Sequence, residues 1–404
     1  MAKRVRGTPS ASFMDNIIST APRQTSNTDL LLAISGESKS TLRTIETEIR
    51  NTRYIPTIFT SFNRAVRVGG APLASRWLVH GPPAAGKTGF LIGILNSFTR
   101  YGHAAALIDA EHALDKKWAV RLKTQASNII CRQPDNMEEA IDLVDKWIIN
   151  FNKAKADGKI PQDRAFVIGV DTIHKMPPKR ELSMMCSMNK GGGAQNLDKG
   201  WGRYRANLIA SWIDNITPRV GKSDIAFIAL AHEYEGQTED ENNLFSTDYR
   251  IKGGKSVQFE AQVRIRITSG FKYIEANGKR KFLAGREHIG VVEKNKVGYP
   301  YEQFRFYIGN GRGTMPLGFD MAMEAFTEAE YRGDVLVKEG AWVTLPCGAR
   351  NNGKEATLNH LRNNEESYKT LCDILTDTID IQEIPDEPVD ELTTEQESTA
   401  SQTD

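Results

Sequence analysis

The residues best placed to do chemistry lie at 81–88: Gly81, Pro82, Pro83, Ala84, Ala85, Gly86, Lys87 and Thr88. Their spacing, G-x-x-x-x-G-K-[ST], is that of a phosphate-binding loop. Gly81 and Gly86 let the backbone fold back and aim its N–H groups at phosphate oxygens. Lys87 brings a full positive charge to the outer phosphates of a nucleoside triphosphate, and Thr88 brings a hydroxyl to a magnesium ion. The plainer reading is a Gly-rich turn. Two flanking signals argue against it. The apolar run RWLVH (76–80) reads as a strand entering the loop, and an apolar helix begins near Lys87, so a helix N-terminus would face the anion.

Two carboxylates complete the candidate set. Asp171 ends the apolar strand FVIGVD, where a carboxylate can hold magnesium through water. Taken alone, such an Asp is a cap or turn residue, but the loop at 81–88 favours the metal role. Glu111 lies in IDAEHALD (108–115), directly after a second apolar strand. The C-terminal ends of parallel strands line the ligand crevice. A Glu there can orient an attacking water, or it can simply be a surface residue of a loop.

These residues need a scaffold, and its elements are legible. Near-continuous apolar runs at 104–110, 164–171 and 224–232 suit parallel strands buried on both faces. MEEAIDLVDKWIINFN (137–152) has helical periodicity, and QVRIRI (262–267) alternates as a strand with one wet face. GVVEK and QFRFYI add two further strands. Strands alternating with helices predict an α/β core with a mainly parallel central sheet, here assigned to 71–313. Residues 1–40 read as a flexible N-terminus, and 41–70 as a segment opening with an amphipathic helix at 41–50. Residues 316–380 read as a small α+β domain. The stretch 381–404 reads as a disordered acidic tail, because from Asp380 onward there are nine acidic residues and no basic one.

Composition narrows the function classes. The 404 residues carry a formal net charge of +1 with 40% hydrophobic and 25% charged content, the balance of a soluble protein. Binding of nucleic acid would therefore depend on local patches and not on overall charge. The four cysteines, Cys131, Cys186, Cys347 and Cys372, form no CxxC pair, which argues against a zinc site or disulfide framework and for a reducing compartment. Neither a secretory signal nor a membrane span is expected.

Several segments together resemble the RecA family of recombinases. They are GGAPLASRWLVHGPPAAGKT, DAEHALD, GGKSVQFEAQVRIRI (253–267), VVEKNKVGYPYEQFRF (291–306) and GAWVTLPCGARNNGKEATLNHL (340–361), in the family's order. The likeness runs from about residue 50 to 380. The last segment resembles the RecA C-terminal domain, which most other P-loop ATPases lack. Phage recombinases of the UvsX type are similar too, and His232 sits where bacterial RecA has Gln, which leans toward a phage source. Ile308 is a departure, because RecA has a tyrosine there.

The resemblance implies the P-loop core fold, with ATP and magnesium as cofactors. It gives Glu111 the activation of water, places Asp115 and Trp118 at adenine and makes His232 a γ-phosphate sensor. It implies that Lys294 and Lys296 reach a neighbouring protomer's nucleotide and that Phe259 packs at that interface; an ordinary core Phe is the alternative. It places single-stranded DNA on two loops. The first, roughly 183–200, carries Lys190 and Lys199 and leads to Arg203 and Arg205. The second, about 233–252, ends in Arg250, Lys252, Gly253 and Gly254. This second loop has six acids against two bases, which is unfavourable beside phosphate and leaves Phe245 or Tyr249 to touch the strand. The expected protein is a cytoplasmic, DNA-dependent ATPase. It forms a helical filament on single strands, gathers duplex DNA through its C-terminal domain and exchanges strands, without a membrane. Single-strand-binding and mediator proteins are further candidate partners. A ring-shaped helicase with the same core, or a non-catalytic mediator paralogue, are the rival readings.

Overall fold

A computed structural model describes residues 27–36, 38, 52–122, 126–188, 201–235, 249–252, 255–278 and 280–377. The chain divides into one unit up to Asn51 and another from Thr52 onward. In the first, helix α1 spans Asn27–Ser35, inside the stretch expected to be flexible. Three consecutive leucines, good helix formers, follow the Asn-Thr-Asp start. The helix expected at 41–50 lies outside the described residues.

The second unit is built on one large sheet. Its strands, in chain order after the short pair β1 (Tyr54–Ile55) and β2 (Ala71–Pro72), are β3 (Ser75–Gly81), β4 (Ala104–Asp109), β5 (Ile129–Arg132), β6 (Phe166–Asp171) and β7 (Ile225–Glu235). They continue with β8 (Tyr249–Ile251), β9 (Val263–Asn277), β10 (Arg280–Asn295), β11 (Gln303–Asn310) and β12 (Leu317–Phe319). The spatial order is β12-β11-β10-β9-β3-β7-β6-β4-β5, with β8 on β7. The run from β9 through β3 to β5 is parallel. The pairs β9–β10, β10–β11 and β11–β12 are antiparallel. The expected α/β core with a mainly parallel sheet is what forms.

Alternate side chains of the central strands feed two cores. One face packs on α2 (Thr60–Ala65) and α3 (Lys87–Arg100), where Phe59, Phe62, Phe90, Phe304 and Phe306 meet Trp77. Between these helices and the later ones comes the short α4 (Lys116–Arg121). The opposite face packs on α5 (Met137–Ala156) and, beyond α6 (Lys179–Met188), on α7 (Trp201–Gly221). Helix α5 starts at Asn136, whose side chain accepts from the Glu139 N–H, and it has acids in its first turn and lysines in its last. That charge order matches the helix dipole. The core begins before residue 71, because Phe59 and Phe62 are fully buried. Residues of the segment 54–70 thus contribute to the core.

After α8 (Lys255–Glu260) and the strands already named, a third core gathers α9 (Met321–Arg332), the small sheet β13 (Val337–Glu339), β14 (Trp342–Thr344) and β15 (Arg350–Asn352), α10 (Gly353–Asn363) and α11 (Glu365–Asp377). It is continuous with the large unit. Glu324 of α9 is fully buried and accepts hydrogen bonds from Thr60 Oγ1 (2.8 Å), Ser61 N (2.8 Å) and Ser61 Oγ (2.7 Å). Burial pushes its carboxyl up to about 7 even so. Beside it Arg64 bridges Glu328 and Glu302.

Candidate nucleotide and nucleic-acid sites

The P-loop sits where the sequence placed it, between β3 and α3. Gly86 caps α3 in the left-handed region, with φ of 100°. A Cβ there would lie 2.4 Å from His288 Nδ1, and one on Gly81 would lie 2.0 Å from Ile267 O. Only glycine lets the loop lie this close to the sheet. The first-turn N–H groups of α3 have no intrahelical partner, so the helix start offers donors and partial positive charge to an anion.

The charged groups converge on a cleft of about 560 Å³ lined by the loop, Glu111, Trp118, Asp171 and His232. Lys87 Nζ donates to Gly81 O (2.9 Å) and Pro82 O (2.8 Å). Burial pulls its pKa down, against the attraction of Asp171, Glu233 and Glu111. Thr88 Oγ1 donates to Asp171 Oδ2 at 2.6 Å. Burial pushes the Asp171 carboxyl up to about 6. A buried carboxylate beside a hydroxyl oxygen is the hard oxygen donor set that magnesium takes, together with phosphate oxygens. Thr88 and Asp171 therefore fit the ion that the loop implies.

Glu111 stands at the cleft mouth. Its Oε1 accepts from Thr172 Oγ1 (3.1 Å) and lies 3.0 Å from His232 Nε2. Burial lowers the His232 pKa, with Lys87 adding to the effect. Asp115 caps α4, its Oδ1 accepting from Trp118 N at 3.0 Å. The far wall holds residues that sequence reasoning missed, namely Leu283, Gly285, Arg286, His288, Gly309 and Asn310, alongside Ile308. They come from β10 and β11, on either side of the segment 291–306 and outside it. His288 Nδ1 lies 2.7 Å from Ala85 O and its ring stacks on Phe306, which pins the loop from below.

Lys294 and Lys296 are not among the residues lining their own chain's cleft. Lys294 Nζ instead donates to Phe259 O at 2.6 Å. Phe259 is 69% exposed, so it is not a core Phe. An exposed aromatic beside two lysines suits a surface that meets another chain.

A second concavity, about 1030 Å³, opens among Lys175, Gly202, Arg205, Tyr234, Arg250 and Lys252, with Tyr249, Arg264 and Glu293 also on its wall. It joins residues from the ends of both expected loops. Arg205 is held by Glu181, while Arg203, Arg250 and Lys252 are exposed. The 183–188 part of the first loop is the end of α6, and 233–235 and 249–251 pair as strands. Lys190, Lys199, Phe245, Gly253 and Gly254 lie outside the described residues. His174 stands between the two sites, its ring 5.0 Å from that of His232, and burial lowers its pKa to about 3.

The sequence matches the RecA N-terminal domain family over residues 36–315. It is 26% identical over 335 residues to protein RecA of Porphyromonas gingivalis, covering 82% of this chain and 86% of that one. It is 27% identical over 341 residues to protein RecA of Streptomyces avermitilis, covering 83% and 80%. Against the chloroplastic DNA repair protein recA homolog 1 of Arabidopsis thaliana the identity is 28% over 302 residues, covering 73% and 60%. No helix among the described residues is long and apolar enough to cross a membrane.

Proposed function

This chain belongs to the RecA family, and from that premise we propose that it is an ATP-dependent recombinase that assembles as a filament on single-stranded DNA and exchanges strands with a homologous duplex. The observation that carries the reading is the contact between His232 and Glu111. It joins the nucleotide cleft to the strand that runs directly into the second expected DNA loop. A γ-phosphate arriving between them would change what both residues touch, and so would a shift of the loop.

In this reading Lys87 and the loop amides bind the triphosphate, and Glu111 orients the attacking water. Magnesium, held through Thr88 and Asp171, would screen charge between the outer phosphates. Trp118 and Ile308 offer apolar surface to the base. Lys294 and Lys296 act on the nucleotide of the adjacent protomer, as arginine fingers do. A heterologous contact of this kind propagates as a helix unless its rotation closes. Arg203, Arg205, Arg250 and Lys252 hold the DNA backbone, so that pairing itself reads the sequence. The small α+β region at 316–380 gathers duplex DNA, and the protein works in the cytoplasm. Likeness to RecA proteins across more than four-fifths of the chain supports a recombinase over a ring helicase.

Strand exchange between circular single-stranded and linear duplex DNA tests the function. Nicked circular product is expected with ATP and none without it. DNA-stimulated ATP hydrolysis with no joint molecules would point to a helicase or mediator.

A further inference from the structure

Beneath the P-loop lies a charged cluster that no motif announces. At its centre is His80, 0% exposed and directly preceding Gly81. Its Nδ1 lies 2.8 Å from Glu233 Oε1 and its Nε2 lies 3.0 Å from Glu293 Oε2. Arg266 Nε donates to Glu233 Oε1 at 2.9 Å, and Arg264 Nε donates to Glu293 Oε2 at 3.0 Å. Tyr249 Oη donates to Glu293 Oε1 at 2.5 Å, and the Arg266 guanidinium lies over the Tyr249 ring, 4.0 Å from its centre. Burial opposes charge on Glu293, yet His80, Tyr249 and Arg264 together hold its carboxyl at about 2.

What matters is which elements the cluster ties. His80 belongs to β3, whose next residue, Gly81, offers the carbonyl that holds Lys87 Nζ. Glu233 follows His232 on β7, and in the β3–β7 register Gly81 stands beside His232. Tyr249 opens β8, the strand by which the second loop returns, and β8 pairs back onto Glu233–Glu235. Lys252 N donates to His232 O at 2.9 Å. Glu293 precedes Lys294. One buried group thus touches the strand before the P-loop, the strand carrying His232, the loop's return strand and the strand carrying the interface lysine. It also accounts for one of the loop's surplus acids, since Glu233 is buried against His80 and Arg266.

We propose that the His80–Glu233–Glu293–Tyr249 cluster is the coupling device of this ATPase, clamping the return strand of the second loop to the P-loop strand so that DNA on the loop sets the geometry at Lys87 and His232. These are positioning residues, and they reach the nucleotide through Gly81 and His232. A paired buried ionic group suits this task because it holds one arrangement firmly and disfavours intermediate ones, since breaking one pair leaves an uncompensated charge. Energetic coupling between sites needs such an element with discrete arrangements.

The proposal rests on the recombinase reading, and the test separates the two. ATP hydrolysis by the full chain is measured without DNA and across a titration of a single-stranded oligonucleotide, for the unaltered protein and for Glu293→Gln, which keeps shape and removes charge. The unaltered protein is expected to be stimulated. In Glu293→Gln the basal rate is expected to stay the same, while the maximal stimulated rate falls by about fivefold or more even at saturating DNA. Tyr249→Phe, which removes one hydroxyl and spares the ring, guards against a folding failure and is expected to lose part of the same stimulation. Full stimulation in both variants would overturn the coupling role. So would an equal fall in basal and stimulated rates, the mark of a purely structural part, or a change confined to the half-saturating DNA concentration, the mark of a simple DNA contact. No stimulation of the unaltered protein would overturn the recombinase reading and the coupling with it.

Discussion

Two polar clusters in the second unit use similar residues to opposite ends. In the nucleotide cleft, Lys87, Thr88, Asp171, Glu111 and His232 satisfy one another only partly, and they border open volume. In the seam between α2 and α9, which borders a smaller cavity of about 330 Å³, Glu324, Glu328 and their partners pair with one another, as does Asp320 at the start of α9 with Arg362 of α10. Glu324 receives its three hydrogen bonds from α2, Arg64 pairs with Glu328, and Arg362 donates to Asp320 Oδ2 at 2.5 Å. The cleft leaves charge available to a ligand, whereas the seam spends it on holding the third core to the first. Burial alone does not make a residue functional. What separates the two clusters is whether the polar groups already have all their partners.

That contrast can be broken by paired substitutions. The largest effect is expected from Lys87→Ala, which removes the charge proposed to meet the outer phosphates. ATP turnover is expected to fall about a thousandfold, while the thermal unfolding curve stays close to that of the unaltered protein. Undiminished turnover would dissolve the distinction from the cleft side.

The seam is expected to do the reverse. Glu324 in the folded protein has a carboxyl raised from 4.5 to about 7 by burial. Above pH 4.5 the unfolded chain has released this proton and the folded one has not, so stability declines as pH rises through about 7 and then levels off. The decline attributable to this group is about 3 kcal/mol. Glu324→Gln mimics the protonated side chain, so denaturant unfolding between pH 5 and pH 8 is expected to lose that slope with no change in ATP turnover. A slope that survives the substitution would assign it elsewhere, and a fall in turnover would join the seam to the catalytic apparatus.

The same contrast explains what could be read from the sequence. Lys87, Thr88 and Gly86 were legible because a phosphate loop imposes a local spacing. Asp171 and Glu111 could be singled out because one ends a buried strand and the other closely follows one. The sheet was legible because strands covered on both faces are nearly all apolar. Glu324 was not, since its partners Thr60 and Ser61 stand 264 and 263 positions away and no local pattern links them. His288 and the His80 cluster were hidden for the same reason, because they meet only when β3, β7, β9 and β10 align. The length of β9 was underestimated. Its outer half, from Thr268 to Asn277, is exposed or half-buried on both faces, so it lacks the alternation that marked 262–267. Phe259 was ambiguous in the sequence because an aromatic on a short helix suits a core or a surface equally, and only its exposure decides.

The account turns on a nucleotide shared by successive protomers, with Lys294 and Lys296 of one completing the site of the next. Its most direct test is the size of the protein on a long single strand, measured by analytical ultracentrifugation or electron microscopy with a non-hydrolysable ATP analogue. Long helical filaments are expected for the unaltered chain and only short, unstable ones for Lys294→Ala. A protein that stays monomeric on the strand under these conditions, or a Lys294→Ala variant whose filaments are as long as the original, would contradict it.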